Sequence, residues 1–86
     1  MTATLSKQAA KALQGMEATT RQRIRKGLAD IPEGDIKPME GFSDGRMRLR
    51  VGKYRAVFLY TTDKDGEQGV FVINVGPRGD IYKQRG

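Results

Sequence analysis

The sequence contains neither cysteine nor histidine. Without cysteine there is no disulfide and no thiolate chemistry, and without either residue the usual zinc ligands are missing. Histidine acid–base catalysis is excluded as well. A cysteine-free chain fits a reducing cytoplasm. No apolar run approaches the roughly 20 residues that a membrane span needs. The opening MTATLSKQ has no basic segment followed by a long apolar one, so no signal peptide is visible. The expectation is a soluble, cytoplasmic protein that uses no metal and no other cofactor.

What is present is a strongly basic chain of 86 residues, with a net charge of +6 and a pI near 10.0. That length holds a single domain, residues 1–86, with a modest core and room for no more than a short polar strip as a site. The charge is unevenly placed. From Met1 to Gly45 acids and bases nearly balance, whereas from Arg46 to Tyr60 every charged residue is positive: Arg46, Arg48, Arg50, Lys53 and Arg55. Such clustering points to a polyanionic partner, either nucleic acid or an acidic protein.

The first half reads as helical. Thr2 to Leu5 is a candidate edge strand, and Ser6 is placed to cap a helix from Lys7 to Met16. Ala9, Leu13 and Met16 share one face of it. Thr19 or Thr20 caps a second helix, whose apolar stripe is Ile24, Leu28 and Ile31 and which Pro32 ends. Arg21, Arg23, Arg25 and Lys26 read as its wet face. Ile31 to Asp44 is a connection rich in proline, glycine and acid, with Met39 and Phe42 as expected anchors onto the core.

The second half reads as strands. RMRLRV, from Arg46 to Val51, alternates strictly, with three arginines on one face and Met47, Leu49 and Val51 on the other. Gly52-Lys53 is a turn, and Tyr54 to Tyr60 is rich in strand formers. Asp63 to Gly66 is a second turn. Val70 to Val75 is almost wholly apolar, so it is expected to be central and covered; Gly76-Pro77-Arg78-Gly79 breaks it, and Asp80 to Lys83 closes the fold. The predicted fold is α+β: a two-helix hairpin on one face of a three- to four-stranded, mainly antiparallel sheet. The other face stays open. Burying three unpaired arginines would cost more than a small domain can spare, so the arginine row belongs on that open face.

Hairpin pairing brings Arg55 beside Arg46, Arg48 and Arg50, and the apolar strand leads on to Arg78 and Tyr82. A basic strip with one phenol suits a phosphodiester. Guanidinium forks bind phosphate oxygens in pairs and stabilise charge that develops on phosphorus. RNA cleavage can use the substrate's own 2′-hydroxyl as nucleophile, so no metal is needed and DNA resists. Tyr82 is the candidate base, provided its pKa falls from the ordinary value of about 10; neighbouring arginines push it that way. Arg55 or Arg78 orients the leaving oxygen or hands it a proton, and the sequence leaves that choice open.

These segments resemble one known group. RMRLRVGKYRAVFLY, followed by VFVINVGPRGDIYK, is similar to the RelE/ParE toxin superfamily, and LSKQAAKAL with TTRQRIRKGLADIP fits that family's paired helices. The resemblance covers nearly the whole chain, and its specific parts are LRVG-x-YR and VG-x-R-x-x-x-Y. It implies a toxin of a type II toxin–antitoxin system. Its RelE branch enters the ribosomal A site and cuts the bound messenger RNA, leaving a 2′,3′-cyclic phosphate, and a co-expressed antitoxin wraps around the toxin. The partners implied are a cognate antitoxin, the ribosome and mRNA, with oligomers formed only through the antitoxin. By motif, Arg55, Arg78 and Tyr82 match the family's catalytic positions. Arg46 and Arg48 stand where members often carry lysines, and Arg50 and Lys53 extend the RNA-binding set.

The sequence departs from the family at some positions. Arginines replace those lysines, and the histidine and glutamate of some relatives are absent. Ending at Gly86, the sequence leaves no room for the C-terminal helix of longer members. The same scaffold serves ParE-like proteins, which poison DNA gyrase without catalysis, so fold alone does not separate the two branches. An inactive RNA- or protein-binding module is a third expectation.

Overall fold

In the computed structural model, which describes residues 1–77, the chain runs β1 (Thr2–Leu5), α1 (Lys7–Gln14), α2 (Ala18–Ala29), β2 (Asp35–Pro38), β3 (Met47–Val51), β4 (Tyr54–Thr62) and β5 (Gln68–Pro77). The five strands form one sheet in the order β1-β5-β4-β3-β2. The β1–β5 pair is parallel and the other three pairs are antiparallel. Both helices cover one face, α1 against β5 and α2 against β3. The class is the expected α+β, with a five-stranded mixed sheet in place of three or four strands. Among the described residues no helix is long and apolar enough to cross a membrane.

The added strand is β2, hidden in the proline-rich connection. Four residues with a single half-buried apolar member, Ile36, leave no readable alternation. It lies at the sheet edge, where the missing N–H of Pro38 costs no ladder bond. The second helix also begins earlier than expected. Its N-cap is Glu17, which makes no side-chain cap bond, and Thr19 and Thr20 lie inside its first turn.

Ser6 does cap α1: its Oγ accepts from the Ala9 N–H at 3.0 Å. The same hydroxyl donates to the Ile73 carbonyl at 2.6 Å, and the Ser6 N–H donates to the Val72 carbonyl at 2.9 Å. These bonds matter because β5 carries a bulge there. Val57 pairs with Asn74 while Phe58 pairs with Val72, which leaves Ile73 as the extra residue. Ser6 thus supplies the donor that the disrupted ladder withholds.

The core lies between helices and sheet. Leu13, Ile24, Leu49, Phe58, Val70 and Val72 are each at most 1% exposed. Gly27, in the middle of α2, sets how closely that helix approaches β3. A methyl on it would stand 2.9 Å from Val51 Cγ2 and 3.4 Å from Leu49 Cδ2. β5 lies inside the sheet between β1 and β4 and, instead of breaking at Gly76, stays paired with β4 through Gly76 and Pro77. It is covered on one side only, since Val70, Val72 and Val75 are buried whereas Phe71 on the opposite face is 36% exposed.

Candidate functional site

Alternation decides which residues reach the uncovered face. Leu49, Met47 and Val51 pack with the core, as do Tyr54 and Ala56, so Arg48, Arg50 and Arg55 project to the other side. Pairing then arranges them in rows across the strands. One row is Asp35, Arg50, Arg55 and Gly76; the next is Lys37, Arg48, Val57 and Asn74.

The Gly52-Lys53 turn sets the first row. Gly52 has φ 58° and no other residue than glycine has positive φ among those described. That is the pattern of a type II′ hairpin, with glycine at the first central position. It closes on the Val51–Tyr54 pair and places Arg50 directly opposite Arg55. Directly opposed residues hold their Cβ atoms about 4.5–5.5 Å apart, and like charges in that relation destabilise a sheet by a few tenths to about 1 kcal/mol. An anion seated between them reverses the sign of that interaction. A cleft of about 370 Å³ lies at this end of the sheet, lined by Arg50, Gly52, Lys53, Arg55 and Pro77. Arg55 is half-buried and its Nε is shielded from solvent, whereas Arg50 and Lys53 are exposed. One guanidinium is therefore held in place by the fold, and two cations stay wet.

Arg46 takes a different position from the one expected. It precedes β3, although the Met39 N–H to Arg46 carbonyl bond of 3.0 Å extends the β2–β3 ladder to it. Its guanidinium is engaged locally: Nε donates to Asp44 Oδ2 at 2.9 Å, and the group lies 4.5 Å from the centre of the Phe42 ring. Asp44 Oδ1 also accepts from the Arg46 backbone N–H at 3.3 Å. The hydrogen bond from the Arg46 side chain holds the Asp44 carboxyl below the ordinary range. Phe42, expected to anchor the connection onto the core, is instead 40% exposed beneath Arg46. It is not part of the core cluster, and its ring packs against the Arg46 guanidinium instead.

Of the expected site residues, Arg48, Arg50, Lys53 and Arg55 gather on or beside one end of the open face. Arg46 lies at the far end of the same line. Arg78 and Tyr82, with the Asp80–Lys83 segment, fall outside the described residues. Sequence reasoning missed Lys37 and Asp35, whose register needs the unrecognised β2, and Asn74, which the bulge turns outward. It also set Arg23 aside as wet helix surface. The Arg23 guanidinium reaches the turn, since a Cβ at Gly52 would lie 3.6 Å from its Nη2. Among the described residues no group of acidic side chains could hold a metal ion.

No protein-family model matches the sequence, and no match is found among curated proteins. Solved structures do match. The RelBE2 toxin–antitoxin complex from Mycobacterium tuberculosis aligns with a TM-score of 0.67 and 21% identity, over 90% of this chain and 96% of that one. The intact RelBE toxin–antitoxin complex of E. coli aligns with a TM-score of 0.57 and 25% identity, over 88% of this chain and 94% of that one. With two helices on one face of a five-stranded mixed sheet, the chain groups by its fold with the RelE-like toxins.

Proposed function

We propose that the chain is the toxin of a type II toxin–antitoxin pair and a ribosome-dependent endoribonuclease that cuts mRNA without a metal. The observation that carries this reading is the directly opposed Arg50–Arg55 pair, lining a cleft with Lys53 on the uncovered face. Two like charges held across a hairpin make a receptor for one phosphate. The half-buried Arg55 acts in a less polar setting than water, where its attraction to charge on phosphorus is stronger.

In the proposed reaction the 2′-hydroxyl attacks the adjacent phosphorus and the P–O5′ bond breaks. The products are a 2′,3′-cyclic phosphate and a free 5′-hydroxyl. Arg50, Lys53 and Arg48 bind the backbone, while Arg55 stabilises the pentavalent phosphorus. Pro77 lines the cleft, and Arg78 follows it in the sequence. Arg78 and Tyr82 are assigned to the leaving oxygen and to proton abstraction. The ribosome supplies the bound message, and the setting is the cytoplasm. That the fold's neighbours are toxin–antitoxin complexes supports a cognate antitoxin as partner.

Induced expression tests the reading. The expected result is that wild type stops protein synthesis first, while folded Arg55→Ala and Tyr82→Phe variants permit growth. Full toxicity in both variants, with native circular dichroism, removes these residues from the mechanism. A DNA-damage response ahead of translation arrest would assign the chain to the gyrase-poisoning branch. Salt-sensitive RNA binding without any cut message would leave a binding module.

A further inference from the structure

Phe42 is an exposed aromatic that neither the core nor the proposed cleavage chemistry uses. It is 40% exposed on the β2–β3 connection, with the Arg46 guanidinium 4.5 Å from its ring centre. Asp44 holds that guanidinium from the side at 2.9 Å and accepts from the Arg46 backbone as well. The result is a guanidinium seated over the ring and braced by a carboxylate, assembled from three residues of one short loop. Arg46 continues the line of Arg48 and Arg50, because its carbonyl extends the β2–β3 ladder and Met47 beside it packs with the core. Arg50 follows Arg46 by four positions of extended chain, a distance of about 13 Å. Two cationic steps therefore lead from the stack to the cleft, each the length of two strand residues.

We propose that Phe42, braced by Arg46 and Asp44, is a base-stacking subsite for single-stranded RNA whose backbone runs along Arg48 and Arg50 into the Arg50–Arg55 cleft. The proposal rests on the RNA-cleaving reading and deepens it by adding a contact to a base, where the arginines contact phosphate alone. Every base presents a π face, so an exposed ring backed by a guanidinium receives one without a sequence requirement. Asp44 offsets much of the Arg46 charge. This makes Arg46 a support for the ring and leaves phosphate binding to Arg48, Arg50, Lys53 and Arg55.

The chain has no tryptophan, so Phe42→Trp places a single reporter in the subsite. The probe is an octauridylate with 2′-O-methyl groups, which cannot attack its own phosphates. Its binding to wild type is followed by fluorescence anisotropy. In the Phe42→Trp protein, emission should be quenched saturably at the midpoint that anisotropy gives. Phe42→Ala and Phe42→Leu should each weaken binding roughly tenfold, in the range found for loss of one base–aromatic stack. Leucine keeps apolar bulk in the loop, so a loss in both variants with native circular dichroism is a loss of stacking. If the octamer binds wild type, Phe42→Ala and Phe42→Leu alike and leaves tryptophan emission unchanged, the subsite is overturned while the RNA reading stands. If Phe42→Ala changes only antitoxin affinity, Phe42 is a protein contact and the subsite is likewise overturned. If wild type does not bind the octamer at low salt, the RNA reading and the subsite fall together.

Discussion

The two faces of the sheet obey different rules. On the covered face, side chains from α1, α2 and three strands interdigitate, and Phe58, Leu13 and Val72 are wholly removed from water. On the open face, three arginines and a lysine crowd into two adjoining rows, and two of the arginines oppose each other directly. The first arrangement lowers the free energy of the isolated chain. The second stabilises it little, because Arg50 and Arg55 repel across the hairpin while Asp35 opposes Arg50 on the other side. Stability and recognition thus occupy opposite sides of one set of strands. Alternation enforces the division, because neighbouring residues are obliged to serve different sides.

Substitutions that respect this division give effects of very different size. The largest is expected for Phe58→Ala on the covered face. Emptying a fully buried phenylalanine site costs about 3–5 kcal/mol, a large share of the stability of a small domain; urea denaturation should show a sharply lowered midpoint or no folded baseline. Gly27→Ala comes next. The new methyl gains up to about 1 kcal/mol of helix propensity but must push Val51 and Leu49 aside, and overpacking costs about 1–3 kcal/mol. Net destabilisation is expected in the same assay, and a rise in the midpoint would show that α2 can lift from β3 freely.

Arg50→Ala on the open face should reverse the pattern. Stability should stay within about 0.5 kcal/mol of wild type, whereas RNA affinity should fall and the slope of log affinity against log salt should shrink by about 1. A variant that unfolds easily and binds RNA normally would dissolve the contrast between the faces. The smallest effect belongs to the Asp44–Arg46 pair. Its carboxyl titrates below the ordinary value in the folded state, chiefly through the hydrogen bond from Arg46. Its contribution is therefore complete above the unfolded-state value of about 3.9 and disappears as pH falls through the lowered folded value. Carboxyl titration by NMR should place the Asp44 midpoint below 3.9, the ordinary value; a midpoint at or above it would mean that the brace on Phe42 is absent in solution.

Much of this was readable beforehand. RMRLRV announces a strand with one charged and one apolar face, and Gly52-Lys53 announces the tight turn that brings Arg55 back beside it. Ser6 marked the start of α1. Other features gave no local signal. β2 has one half-buried apolar residue and a proline, so nothing in it alternates. VFVINV shows no sign of its bulge, because a run apolar at every position but Asn74 has no alternation for an extra residue to interrupt. Phe42 looked like a core anchor because apolarity alone does not say whether a cavity exists to receive a ring.

The sequence by itself determined the two helices, the strands β1, β3, β4 and β5, their order and the sidedness of β3, since those depend on the spacing of apolar and charged residues over a few positions. Only the tertiary structure decided the partners. The parallel seating of β1 on β5, the outward turn of Asn74 and the capture of Arg46 by Asp44 and Phe42 depend on which backbone groups meet across space. The arrival of Arg23 at the Gly52 turn does too. Contacts between distant segments are set by packing the whole chain at once, and no short window of residues contains that information.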